Sequence, residues 1–221
     1  MAGTEPARGT TATSTATVPG EPSEPSEPSE PELTPAGHRL LDAASELFYD
    51  RGIRAVGVDL IAERAGTTKK TLYDRFGSKD ALAALYLRRR AGRWQRFLLD
   101  HLDRHAPVPG PERVLGVFDA LQEWHGERER GCAFVNAYGE VGGTDHPAVA
   151  VIRADKQWMR ALFRSLVAAG GIADSDRTGD VLHLLYEGAL VAATAGGQPD
   201  AIGDARRAAA AYVGPRRHVA G

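Results

Sequence analysis

Leu40, Leu41, Ala44, Leu47 and Phe48 recur at i, i+1, i+4, i+7 and i+8, one apolar stripe along a helix. Thr34-Pro35 predicts its start, a hydroxyl cap before a proline at the first helical position, and Gly52 predicts its end. Ile61, Ala62 and Ala65 mark a second, short helix, about Val58 to Ala65, stopped by Gly66. Thr67 or Thr68 caps a third that runs to Phe76, with Leu72 and Phe76 one turn apart on its buried side. Gly77 closes it. Ser78 caps a longer fourth helix that carries Leu82, Leu85, Tyr86, Trp94, Phe97, Leu98 and Leu102 and reaches His105. Pro107, Pro109 and Pro111 break the pattern. Beyond them, helices are predicted over Pro111–Gly126, Cys132–Val141, Pro147–Ala169, Asp176–Ala195 and Pro199–Val213. No segment sustains the alternation of a strand. The expectation is an all-α chain of about nine helices.

Residues 1–34 do not fit this pattern. Glu21 to Glu32 reads EPSEPSEPSEPE, in which proline removes backbone donors and glutamates repel one another. An extended acidic tail is expected there. The division that follows is a tail over 1–34, a head over 35–80, a helical body over 81–213 and an unstructured end over 214–221. The 221 residues are 43% hydrophobic and 25% charged, enough apolar material for a sizeable core. No apolar run is long enough to span a bilayer, and Met1 to Pro19 holds no apolar h-region, so a cytoplasmic protein with no membrane partner is expected. The single cysteine, Cys132, permits no internal disulfide.

Charge divides unevenly along the chain. Residues 1–34 carry six Glu and one Arg, a net of −5. Residues 35–105 carry 14 basic and 9 acidic side chains, a net of +5. Residues 106–221 carry 12 basic and 14 acidic, a net of −2. The only basic segment is the one with the short helices, which points to a polyanion partner.

Within that segment Val58 to Lys79 reads VDLIAERAGTTKKTLYDRFGSK. A short helix, a glycine turn and a second short helix make a helix-turn-helix, whose second helix enters the major groove of DNA. Small Ala62 lets the two helices approach, and Ile61, Leu72 and Phe76 hold them against the first helix.

The words IAERAG (61–66) and TLYDRFGSKDAL (71–82) resemble the DNA-binding domain of the TetR family over roughly residues 36–85. RGCAFVNAYGEVGGTDHP (130–147) is similar to a stretch found in a subset of these regulators. The resemblance implies phosphate contact by Thr71, Tyr73 and Lys79, and base reading by Thr68, Lys69 and Lys70. Asp74 and Arg75 lie on the same helix and depart from the family pattern. Asp74 is expected to repel phosphate or accept from a cytosine amino group, and Arg75 replaces a frequent histidine. Thr67 stands where an apolar residue is usual, and Gly57 is a weak cap. Arg88, Arg89 and Arg90 are expected to be solvated.

The resemblance also implies a dimer with a small-molecule site in its helical body. Ligand pockets combine apolar walls with a few placed polar groups. Phe118, Trp124, His125, Phe134, Asn136, Tyr138, Trp158 and Tyr186 are the candidates, with Asn136 and Tyr138 the orienting pair. Leu182, Leu185, Ala189, Ala192 and Ala193 are the candidate dimer face. His183 and Glu187 share a helix face, but two ligands do not make a metal site, and no metal or other cofactor is expected. Cys132 reads as an inert thiol whose only cationic neighbours are Arg128 and Arg130. No catalytic motif stands out, so the reading is a DNA-binding regulator, a repressor released by an effector. The rivals are a helical protein-interaction module and a small-molecule enzyme, neither binding DNA.

Overall fold

A computed structural model describes residues 33–126 and 130–214. Among them are nine helices and no strand. They are α1 (Pro35–Arg51), α2 (Val58–Arg64), α3 (Lys69–Phe76), α4 (Lys79–His105), α5 (Pro111–His125), α6 (Ala133–Val141), α7 (Ala148–Ala169), α8 (Ser175–Ala193) and α9 (Ala201–Val213). The expectations for residues 1–32 and 215–221, and for Arg128, lie outside the described residues. Leu33 and Thr34, expected as part of the tail, contact the first helix and its core. Leu33 packs on the first core, and the Thr34 hydroxyl accepts from the Gly37 N–H at 3.3 Å.

Two apolar cores lie along α4, one at each end. Leu82 to Leu87 join Leu40, Leu47, Ile61 and Leu72 in the first. Trp94, Leu98 and Leu102 join Phe118, Met159, Phe163 and Leu182 in the second. A continuous helix of 27 residues thus carries the head's core at its start and the body's core at its end.

Phe134, Ala137 and Val141 of α6 and Val149 and Ile152 of α7 also enter the first core. Three tethers add to this contact. Glu140 of α6 accepts from the backbone N–H of Ile53 and of Arg54 at 3.0 and 2.6 Å. The Tyr49 hydroxyl donates to the Gly131 carbonyl at 3.4 Å, and Arg130 donates to the Asp50 carbonyl. The head therefore meets the body through α6 as well as through α4. A cut at 80/81 runs through one continuous core.

Gly179 lets α7 and α8 pack closely. A Cβ there would lie 2.7 Å from the Arg164 backbone. No helix of the described residues is long and apolar enough to cross a membrane.

Candidate DNA-binding surface and effector cavity

The turn between α2 and α3 is closed by two backbone bonds, Thr67 N–H to Ala62 O at 2.9 Å and Gly66 N–H to Glu63 O at 3.0 Å. This 6→1 and 5→2 pair is a Schellman cap, and it needs the left-handed φ of +61° that Gly66 supplies. Of the two threonines offered by the sequence, Thr68 caps α3. Its hydroxyl accepts from the Thr71 N–H at 3.1 Å and sits 3.0 Å from the Thr71 hydroxyl. Gly57 begins α2 with no side-chain cap.

Leu72 is fully buried and anchors α3, while Lys69, Lys70, Tyr73, Asp74 and Arg75 face solvent. Tyr73 is 48% exposed, so its ring is not core. Both lysines carry carboxylate partners: Lys69 Nζ lies 2.6 Å from Asp59, and Lys70 Nζ lies 2.8 Å from Asp74. Such exposed pairs contribute about 0–1 kcal/mol and exchange readily for phosphate. Asp74 thus neutralises a lysine of its own helix.

Lys79, at the start of α4, is half-buried. Its ammonium donates to the carbonyls of Ile53 and Val56 at 3.0 and 3.1 Å. Two of its three donors therefore brace the loop between α1 and α2. Arg89 and Arg90 are not simply solvated either. Arg89 lies 2.5 Å from Asp42, and the Arg90 guanidinium lies over the Tyr49 ring at 4.6 Å.

A cavity of about 50 Å³ lies in the body where α4, α5, α7, α8 and the entry to α6 meet. Trp124, His125, Phe134 and Tyr186, four of the expected residues, line it. The other four do not. Phe118 is fully buried against Phe163, their ring centroids 5.8 Å apart. The Asn136 amide donates to the Arg130 carbonyl at 2.6 Å, which shapes the entry to α6. Tyr138 is 46% exposed, and Trp158 packs on the second core.

Arg90, Trp94, Asp155 and Lys156 line the cavity without having been expected there. The missed signal lay on α7, where Asp155 interrupts the apolar stripe of Val149, Ile152, Met159 and Leu162. A carboxylate on an apolar stripe is the informative exception.

Asp155 is only 4% exposed. Burial raises its carboxyl from the usual carboxylate range to about 6, against the pull of Lys156. Its Oδ1 has no hydrogen-bond partner, and its Oδ2 lies 4.0 Å from Lys156 Nζ. Lys156 donates instead to Glu187 at 2.9 Å and lies 3.6 Å from Cys132 Sγ. Burial would lower this ammonium, but Cys132, Glu187 and Asp155 outweigh it and hold the group above its ordinary value. Glu187 shows the converse: burial would raise it, and His183 and Lys156 hold it lower. Cys132 thus has a cationic neighbour on α7 that its sequence context did not reveal. Among the described residues no group of three or more potential metal ligands comes together.

Two of the five candidate dimer residues do not face outward. Leu182 and Ala189 are buried in the chain's own second core. Leu185, Ala192 and Ala193 are half-buried. The outward stripe of α8 is Leu184, Gly188 and Val191, with Leu184 70% and Val191 48% exposed. α8 packs on α7 and α9, and that packing takes up Leu182 and Ala189.

A tri-helical head with its second turn helix outward, coupled to a helical body with an aromatic-lined cavity, is the arrangement of helix-turn-helix DNA-binding regulators. The profile of bacterial regulatory proteins of the tetR family matches residues 40–85. A TetR-family transcriptional regulator from Streptomyces coelicolor superposes with a TM-score of 0.74 at 28% identity, over 81% of this chain and 94% of that one. A tetR-type regulator from Streptomyces avermitilis does so with a TM-score of 0.66 at 30% identity, over 80% and 98%. The HTH-type transcriptional activator FasR of Mycolicibacterium smegmatis is 39% identical over 127 residues, 58% of this chain and 45% of FasR. The chain spans less than half the length of the curated relatives it matches. The chain belongs to the TetR family of transcriptional regulators.

Proposed function

We propose that this protein is a dimeric repressor that grips its operator with α3 and releases it when a small molecule fills the body cavity. The observation that carries this reading is α4. One helix holds Leu82 to Leu87 in the head core and sets Arg90 and Trp94 on the cavity wall. A ligand that displaces that wall tilts the head. A twofold partner would place two copies of α3 in successive major grooves, about 34–36 Å apart. Coupling of this kind is typically about 1–3 kcal/mol, or roughly 5–150-fold in affinity. Thr68, which caps α3, and Lys69 and Lys70 read bases, while Thr71, Tyr73 and Arg75 of α3 and Lys79 at the start of α4 hold phosphates.

The test is an anisotropy titration of an in vitro-selected duplex at fixed salt. Lys69→Ala with Tyr73→Ala is expected to weaken binding by at least about 1–3 kcal/mol. Unchanged affinity removes the assignment of α3. A second reading, activation, is favoured by the likeness to FasR, which is named an activator. In vitro transcription from a promoter holding the selected site separates the two by the sign of the change.

A further inference from the structure

We propose that the body cavity takes a flat aromatic ligand bearing an N–H or O–H donor, and that Asp155 Oδ1 accepts from it. This rests on the effector-release reading and names the chemistry of its ligand. Asp155 lines the cavity, and its Oδ1 is a buried acceptor with no partner. The nearest ammonium is already engaged, since Lys156 bonds Glu187 on α8. A donor on the ligand supplies what the protein does not.

The walls choose the rest of the molecule. Trp94 and Trp124 lie with ring centroids 5.5 Å apart, and Trp94 and Tyr186 at 6.4 Å. Their faces favour a stacked or edge-on ring. Of the charged groups on the wall, Lys156 is paired with Glu187 and Arg90 lies over the Tyr49 ring, while Asp155 Oδ1 is left with no partner. A cation or neutral donor meets that acceptor, whereas an anion brings it no donor. At about 50 Å³ the cavity holds water rather than a ring. Entry therefore displaces a wall, and Gly131 to Phe134 is the wall that leads into α6, whose start has no side-chain cap. The same ligand that satisfies Asp155 pushes on α6.

The experiment uses the full chain and four ring compounds of similar size: benzamidinium, benzyl alcohol, toluene and benzoate. Calorimetry measures binding to the free protein, and anisotropy measures release of a selected duplex. The two donors are expected to bind about tenfold tighter than toluene, the equivalent of one buried hydrogen bond, with benzoate weakest. Asp155→Leu is expected to erase the donors' advantage. Asp155→Asn keeps the shape and an acceptor but not the charge. It is expected to weaken benzamidinium about tenfold and benzyl alcohol little, and it decides the matter if the leucine variant does not fold by circular dichroism. Four equal affinities, benzoate binding tightest, or no binding of any compound overturns the proposal. The expected order without duplex release leaves the ligand class standing and removes the release reading. Release by toluene or benzoate as readily as by the donors does the reverse.

Discussion

The Glu140 carboxylate accepts hydrogen bonds from the backbone N–H of Ile53 at 3.0 Å and of Arg54 at 2.6 Å. Its residue lies 86 to 87 positions further along the chain. It fastens the last turn of α6 to the loop that leads into the helix-turn-helix. The first residues of the same short helix line the cavity. Nine residues thus connect cavity wall to head independently of α4.

Glu140→Ala is expected to destabilise the chain by about 1–3 kcal/mol, because two backbone donors lose a charged acceptor. Gly52→Ala is expected to act in the same direction. Gly52 has a φ of +87°, and a Cβ there would lie 2.7 Å from Glu140 Oε1. Urea unfolding measures both. If Glu140→Ala keeps full stability, the contact contributes nothing to holding head and body together.

Thr68→Ala removes the hydroxyl that starts α3. A loss of about 0.5–2 kcal/mol in stability is expected from the missing cap, with weaker duplex binding because the base-reading turn frays. Lys69→Ala leaves the fold intact and is expected to lower the salt slope of duplex binding by about 1 if its ammonium meets phosphate, or to relax base preference if it meets a base. Affinity measured across a salt series, with base-substituted duplexes, separates the two.

Leu184→Glu with Val191→Glu places charge on the outward stripe of α8. A monomer by analytical ultracentrifugation is expected, with unchanged helicity and reduced duplex affinity. Leu182→Ala instead opens a cavity in the chain's own core and is expected to cost about 2–5 kcal/mol of stability. A charged pair that leaves the dimer intact shifts the interface off this face.

Asp155 gives stability a pH dependence of definite sign. Its folded carboxyl titrates at about 6, raised by burial and by Glu187 and lowered by Lys156, His183 and Arg90. In the unfolded chain it titrates near the ordinary value of about 4. Between those values the folded state holds the proton that the unfolded state has released, so stability falls as pH rises. Relative to Asp155→Asn, the parent chain is expected to lose on the order of 3 kcal/mol across that window and no more above it. Urea unfolding of both proteins through the window measures the difference. A flat difference contradicts the raised titration of this buried carboxylate.

What the sequence determined by itself was local. The helix starts at Thr34 and Ser78, a start for α3 at Thr67 or Thr68, the stop at Gly66 and the outward placement of Lys69 and Lys70 follow from caps and spacing within one or two turns. Those rules act over a few residues, so one chain carries them. The tertiary structure decided which apolar stripe of α8 faces solvent and that Phe118 belongs to the core. It also decided that Asp155 reaches an aromatic cavity, and that Lys79 and Glu140, far apart in the sequence, brace the same loop. Each of these depends on how helices cross, and crossing is settled by the packing of whole helix surfaces, which no single stretch of sequence contains.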